Sequence, residues 1–100
     1  MRFGLSDEIM NEIIDVIGKC KAVRKAVIFG SRARADFRYN SDIDIALYTD
    51  GEPYPELFME IDDAAGIYKT NVVDMDRLAN EKLKQNIERE GIEIYRRTDK

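Results

Sequence analysis

Two short apolar runs, Ala26-Val27-Ile28-Phe29 and Ile45-Ala46-Leu47-Tyr48, constrain this chain more than any other feature. Gly30-Ser31 follows the first run directly, and Asp42-Ile43-Asp44 opens the second. Short apolar runs bounded by turn residues read as buried strands. Residues two apart in a strand point to the same face, so Asp42 and Asp44 project together. Carboxylates placed so closely repel each other unless a cation lies between them, and their oxygens suit a hard ion such as magnesium.

Gly30 permits a tight turn and close backbone approach to a ligand. Ser31 to Ala35 reads as one short helical turn with Ser31 at or near its N-cap. Free amides at such a start, together with the serine hydroxyl, can hold phosphate oxygens. Arg32, Arg34 and Arg38 add positive charge nearby. A nucleoside triphosphate with magnesium satisfies both halves of the segment. Taken alone, Gly-Ser is usually only a turn and Asp-x-Asp a solvated strand edge. Their spacing of ten residues, between two strands, gives the combination its weight.

Through Gly30-Ser31, the ten-residue spacing and Asp42-x-Asp44, the chain resembles the minimal nucleotidyltransferases of the DNA polymerase beta superfamily. The ending Ile87-Glu88-Arg89-Glu90-Gly91-Ile92-Glu93-Ile94-Tyr95 is similar to the helix-glycine-strand close of those proteins, so the resemblance runs from about Ala26 to Tyr95. It implies a third acidic residue on a later strand, and Val72-Val73-Asp74-Met75 is the matching segment. Asp76 shares strand parity with Asp74 and competes for that role; Asp74 is preferred because it lies within the strand, whereas Asp76 is explained as the cap of the last helix. Ala35 departs from the many relatives that carry glycine there, and alanine suits a helical turn.

The resemblance implies transfer of a nucleotidyl group with two magnesium ions. One is held by Asp42, Asp44 and Asp74 and activates the attacking hydroxyl; the other is held by Asp42, Asp44 and the triphosphate of ATP. Asp74 can also accept the hydroxyl proton. Gly30 and Ser31 grip the β- and γ-phosphates, with Arg32 and Arg34 as further nucleotide-binding candidates.

At 100 residues the chain is expected to form a single domain, residues 1–100. The absence of histidine removes an imidazole base and imidazole ligands, and Cys20 is the only cysteine. Acid-base and metal chemistry must therefore rest on carboxylates, and Cys20 reads as a small buried thiol. The net charge of −4 disfavours direct nucleic-acid binding, which relies on excess Lys and Arg. Neither a membrane span nor a signal-peptide core is visible, so a cytoplasmic domain is expected.

Along the chain, Ser6 caps an amphipathic helix to about Lys19, and strands cover Ala26 to Phe29 and Asp42 to Thr49. Pro55 fits the first turn of a helix that runs to about Ile67. Tyr68 to Met75 forms the third strand, Asp76 caps the last helix, and Gly91 stops it. The fold class is α+β: a nucleotidyltransferase fold with a small mixed sheet and helices packed mainly on one face. Tyr39, within the motif loop, is the aromatic placed to approach a nucleotide base.

Larger relatives add a domain for their acceptor, and no residues are assigned to one here, so a partner is expected to supply it. The resemblance points to a small helical HEPN protein, a ribonuclease toxin, which the nucleotidyltransferase neutralises as antitoxin by transferring AMP to a tyrosine. A second reading is a binding module that neutralises the toxin by occlusion. A third is transfer to a small molecule, such as an antibiotic, with the acceptor pocket formed across a homo-oligomer.

Overall fold

Ser6 starts the first helix as expected: its hydroxyl accepts from the Ile9 amide at 3.2 Å, satisfying one of the orphan donors of the first turn. The computed structural model describes residues 2–98. Its elements are α1 (Asp7–Gly18), β1 (Val23–Phe29), α2 (Ser31–Arg34), β2 (Ile43–Thr49), α3 (Leu57–Ala64), β3 (Thr70–Asp74), α4 (Glu81–Glu90) and β4 (Ile92–Arg96). The four strands form one mixed sheet in the order β3-β2-β1-β4. β1 is antiparallel to both β2 and β4, while β3 joins β2 in parallel through the α3 crossover.

Alternation along β1 and β2 divides the core between two faces. On one, Ala26, Ile28, Ile43, Ile45 and Leu47 pack with Met10, Ile13 and Ile17 of α1 and with Leu57 and Ile61 of α3. Each fully buried aliphatic side chain there contributes roughly 1.5–3 kcal/mol, which fastens α1 and α3 to the sheet. On the other face, Val27, Phe29 and Ala46 meet Met75 and Ile87, so α4 covers only part of it. Asp44 lies on this more open face, directly across from Phe29. Cys20 is a buried free thiol, as its size and isolation suggest.

Several helix ends differ from expectation. α3 starts at Leu57 with Glu56 as its cap, which leaves Pro55 outside the first turn, and it stops at Ala64 rather than near Ile67. The last helix begins at Glu81, because the Asn80 side chain accepts from the Leu83 amide at 3.0 Å; Asp76 is not its cap. Gly91 ends α4 without a left-handed turn, having φ −63°. It is glycine for closeness instead, since a Cβ there would lie 2.7 Å from the Ile87 carbonyl and 2.9 Å from the Val27 side chain.

Candidate active site

Gly30 leaves β1 with φ 76° and ψ −153°, a conformation open essentially to glycine alone. A Cβ added to Gly30 would stand 2.3 Å from Asp44 Oδ2. The turn and the carboxylate, fourteen positions apart in sequence, thus meet in space. α2 then starts at Ser31, with Gly30 rather than Ser31 as N-cap. The Ala33 and Arg34 amides donate to the Gly30 carbonyl at 3.1 and 3.0 Å, so only the Ser31 and Arg32 amides at the start of the turn lack an intrahelical acceptor.

The third member of the cluster comes from β3. Parallel register sets Asn71 beside Asp44. Its amide Nδ2 donates to Asp42 Oδ2 at 3.2 Å and to Asp44 Oδ1 at 2.9 Å. Asp42 is exposed and Asp44 half-buried. A concavity of about 430 Å³ adjoins Asp42 and is lined by Tyr39, Asn40, Ile67, Tyr68 and Lys69. Tyr39 is 84% exposed there.

Arg32 organises the loop that carries these groups. It is 2% exposed. Nη1 donates to the Phe3 carbonyl at 2.8 Å, Nη2 to the Tyr39 and Ser41 carbonyls at 3.3 and 2.8 Å, and Nε to Ser41 at 3.2 Å. The guanidinium also stacks over the Phe37 and Tyr68 rings. With its donors directed at carbonyls, Arg32 holds the segment that ends in Asp42 and is not presented to phosphate. Arg34 is exposed and bound to Asp36 and to Glu90 of α4, both at 3.1 Å, which raises its pKa, most through the Asp36 hydrogen bond. Its expected nucleotide role would require leaving those partners. Ala35 does not continue the helical turn: it caps α2 in the left-handed region, φ 67° and ψ 23°.

A model of the "Polymerase beta, Nucleotidyltransferase" family matches residues 11–100. The chain belongs to the polymerase beta nucleotidyltransferase family. No curated protein sequence matches it significantly. Solved structures share the fold. A toxin-antitoxin with AMP-PNP is 23% identical with a TM-score of 0.72, covering 88% of this chain and 73% of that one. The toxin-antitoxin MntA-HepT gives 22% and 0.69 over 92% and 74%. A tri-AMPylated Shewanella oneidensis HEPN toxin in complex with MNT antitoxin gives 20% and 0.65 over 89% and 71%.

For a nucleotidyltransferase of this family, the place of Asp74 is a correction. Asp74 registers with Leu47, three positions beyond Asp44 along β2, or about 10 Å at the rise of a strand. Its parity also turns it to the opposite face. There its carboxylate accepts from Thr49 Oγ1 at 3.1 Å and from Arg77 Nη1 at 2.5 Å. Asp76 accepts from the Thr49 amide at 2.5 Å and ties the far end of β2 to the chain after β3. The structure therefore unites Gly30, Asp42 and Asp44, but brings neither Asp74 nor Asp76 to them. Asn71 is the site residue that sequence reasoning missed. Strand parity combined with the parallel register, rather than acidity, is the signal that finds it.

The donor set accommodates magnesium. Two neighbouring carboxylates offer hard oxygen ligands, and magnesium in nucleotide sites commonly takes one or two carboxylates and completes its shell with phosphate and water. Among the described residues no group of three His, Cys, Asp or Glu is arranged as a protein-only cage.

Proposed function

We propose that this domain is the antitoxin of a toxin-antitoxin pair and transfers AMP from ATP to a tyrosine of a HEPN-type ribonuclease partner. The observation that carries the reading is the meeting of Gly30 with Asp44 and of Asp44 with Asp42 in a family domain. The AMP-PNP and AMPylated complexes that share its fold support the nucleotide and the acceptor. Asp42 and Asp44 would hold magnesium together with the triphosphate. Magnesium, when bound, offsets the negative charge developing on the phosphates and lowers the pKa of the attacking hydroxyl.

The chain's own groups supply position. Gly30 lets the triphosphate approach the backbone. The Ser31 hydroxyl and the first amides of α2 face the β- and γ-phosphates, and Tyr39 offers its ring to the base. The tyrosine oxygen of the partner forms a bond to the α-phosphorus, the bond from that phosphorus to the bridging oxygen breaks, and pyrophosphate leaves. The hydroxyl proton is released to solvent water; Asn71, an amide, does not accept it.

A second reading, neutralisation by occlusion without transfer, is favoured by that same amide. Incubating this chain with a small helical HEPN-type protein, ATP and magnesium separates the two. Mass gains of AMP on tyrosine with loss of RNA cleavage support transfer. Neutralisation undiminished without ATP selects occlusion. An adenylylated small molecule, with no protein modified, would select the antibiotic-type reading across a homo-oligomer.

A further inference from the structure

We propose that Asn71 is a positioning residue standing where a third carboxylate would complete the metal centre, so that this chain takes up its divalent cation together with the nucleotide rather than ahead of it. The proposal rests on the nucleotide-site reading above. Three observations meet in it. Parallel pairing puts residue 71 beside Asp44. One amide group spans both carboxylates, at 3.2 and 2.9 Å. Asp74, the nearest acidic residue in sequence, is committed to Arg77 and Thr49 on the other face.

An amide nitrogen is a donor and the ionised carboxylates only accept, so the two bonds fix which side of Asn71 faces the pair. They also offset the repulsion between Asp42 and Asp44 without a cation. Asn71 engages Asp44 Oδ1 and leaves Oδ2 directed at Gly30, the start of the phosphate turn. The amide thus aims the free oxygen toward the place where a metal-bound phosphate would enter. It adds no negative charge, however. Affinity for a hard cation falls as carboxylates are removed from its shell, so the phosphates must contribute the missing charge.

The test uses Mn2+ as probe, followed by electron paramagnetic resonance, with the full chain, Asn71→Asp and Asn71→Ala. Asn71 is exposed, so each variant is expected to fold, and circular dichroism checks it. Wild type should bind Mn2+ weakly alone and roughly tenfold more tightly or better with AMP-PNP. Asn71→Asp should bind Mn2+ alone roughly tenfold more tightly than wild type. Its metal-free melting temperature should fall, as three carboxylates then face one another. Asn71→Ala should show no comparable gain. Equal Mn2+ affinity in wild type and Asn71→Asp would overturn the proposal, as would an equal gain in Asn71→Ala and Asn71→Asp. If Asn71→Asp gains the ion while neither protein transfers AMP, the Asn71 assignment stands and the transfer reading fails.

Discussion

Replacing Gly30 with alanine tests the joint between the phosphate turn and the carboxylates. A side chain at Gly30 meets Asp44 even without ligand. At φ 76° and ψ −153° a side chain costs about 1–3 kcal/mol in backbone strain. The new Cβ also stands 2.3 Å from Asp44 Oδ2, the mobile end of a side chain, which must rotate away. That rotation gives up the Asn71 bond at 2.9 Å, worth about 1 kcal/mol at an exposed site. The total is about 2–4 kcal/mol, or a fall in Tm of roughly 10–25 °C for a domain of this size. Thermal melts in EDTA measure it. Gly66→Ala is the backbone control, having φ 68° but no atom within 4 Å of the added Cβ. Gly30→Ala should cost more than Gly66→Ala, and the added cost should largely vanish when Asp44→Ala is combined with it. Equal losses at Gly30 and Gly66, or strict additivity with Asp44→Ala, would refute the contact.

Ala35→Gly should stabilise the chain by about 0.5–1 kcal/mol in urea titrations, because it relieves a left-handed alanine at φ 67°. Arg32→Ala should cost about 3–5 kcal/mol, since it empties a buried site and leaves the Phe3, Tyr39 and Ser41 carbonyls unpaired; Arg32→Lys should recover only part of this, lacking the planar fork. Tyr54 donates to Glu60 at 2.6 Å, and that hydrogen bond pushes its pKa up to about 12. The raised value favours the neutral phenol in the folded state, so this contribution is present below the ordinary pKa of 10 and is lost as pH rises from 10 through about 12. Stability measured across that window should fall more in wild type than in Tyr54→Phe.

The two strands that frame the motif, the Ser6 cap and the single buried thiol were legible in the sequence because each depends on local chemistry or short-range periodicity. Gly30 was legible as a turn, but not as the residue that admits the Asp44 carboxylate, because that contact depends on the β1–β2 register. The place of Asp74 depends instead on the β2–β3 register. Its acidity and its apolar neighbours suggested a ligand, whereas the parallel register puts Asn71 beside Asp44 and turns Asp74 to Arg77. Charge and proximity alone make Arg32 a nucleotide-binding candidate. Only the fold shows three backbone carbonyls and two aromatic rings converging on its guanidinium. Ala35 was read as helical from propensity, and the geometry of loop entry overrode that preference.

Gly30, Asp42 and Asp44 meet on the open face, where we propose transfer takes place, while Asp74 binds Thr49 and Arg77 at the far end of β2. The direct measurement is the rate of AMP transfer from labelled ATP to the helical partner by wild type, Asp42→Asn, Asp44→Asn and Asp74→Asn, each first shown to be folded. Wild type should transfer AMP, Asp42→Asn and Asp44→Asn should lose about a hundredfold or more, and Asp74→Asn should stay within a few fold of wild type. Loss of transfer in a folded Asp74→Asn, or transfer retained in Asp42→Asn or Asp44→Asn, would contradict this assignment.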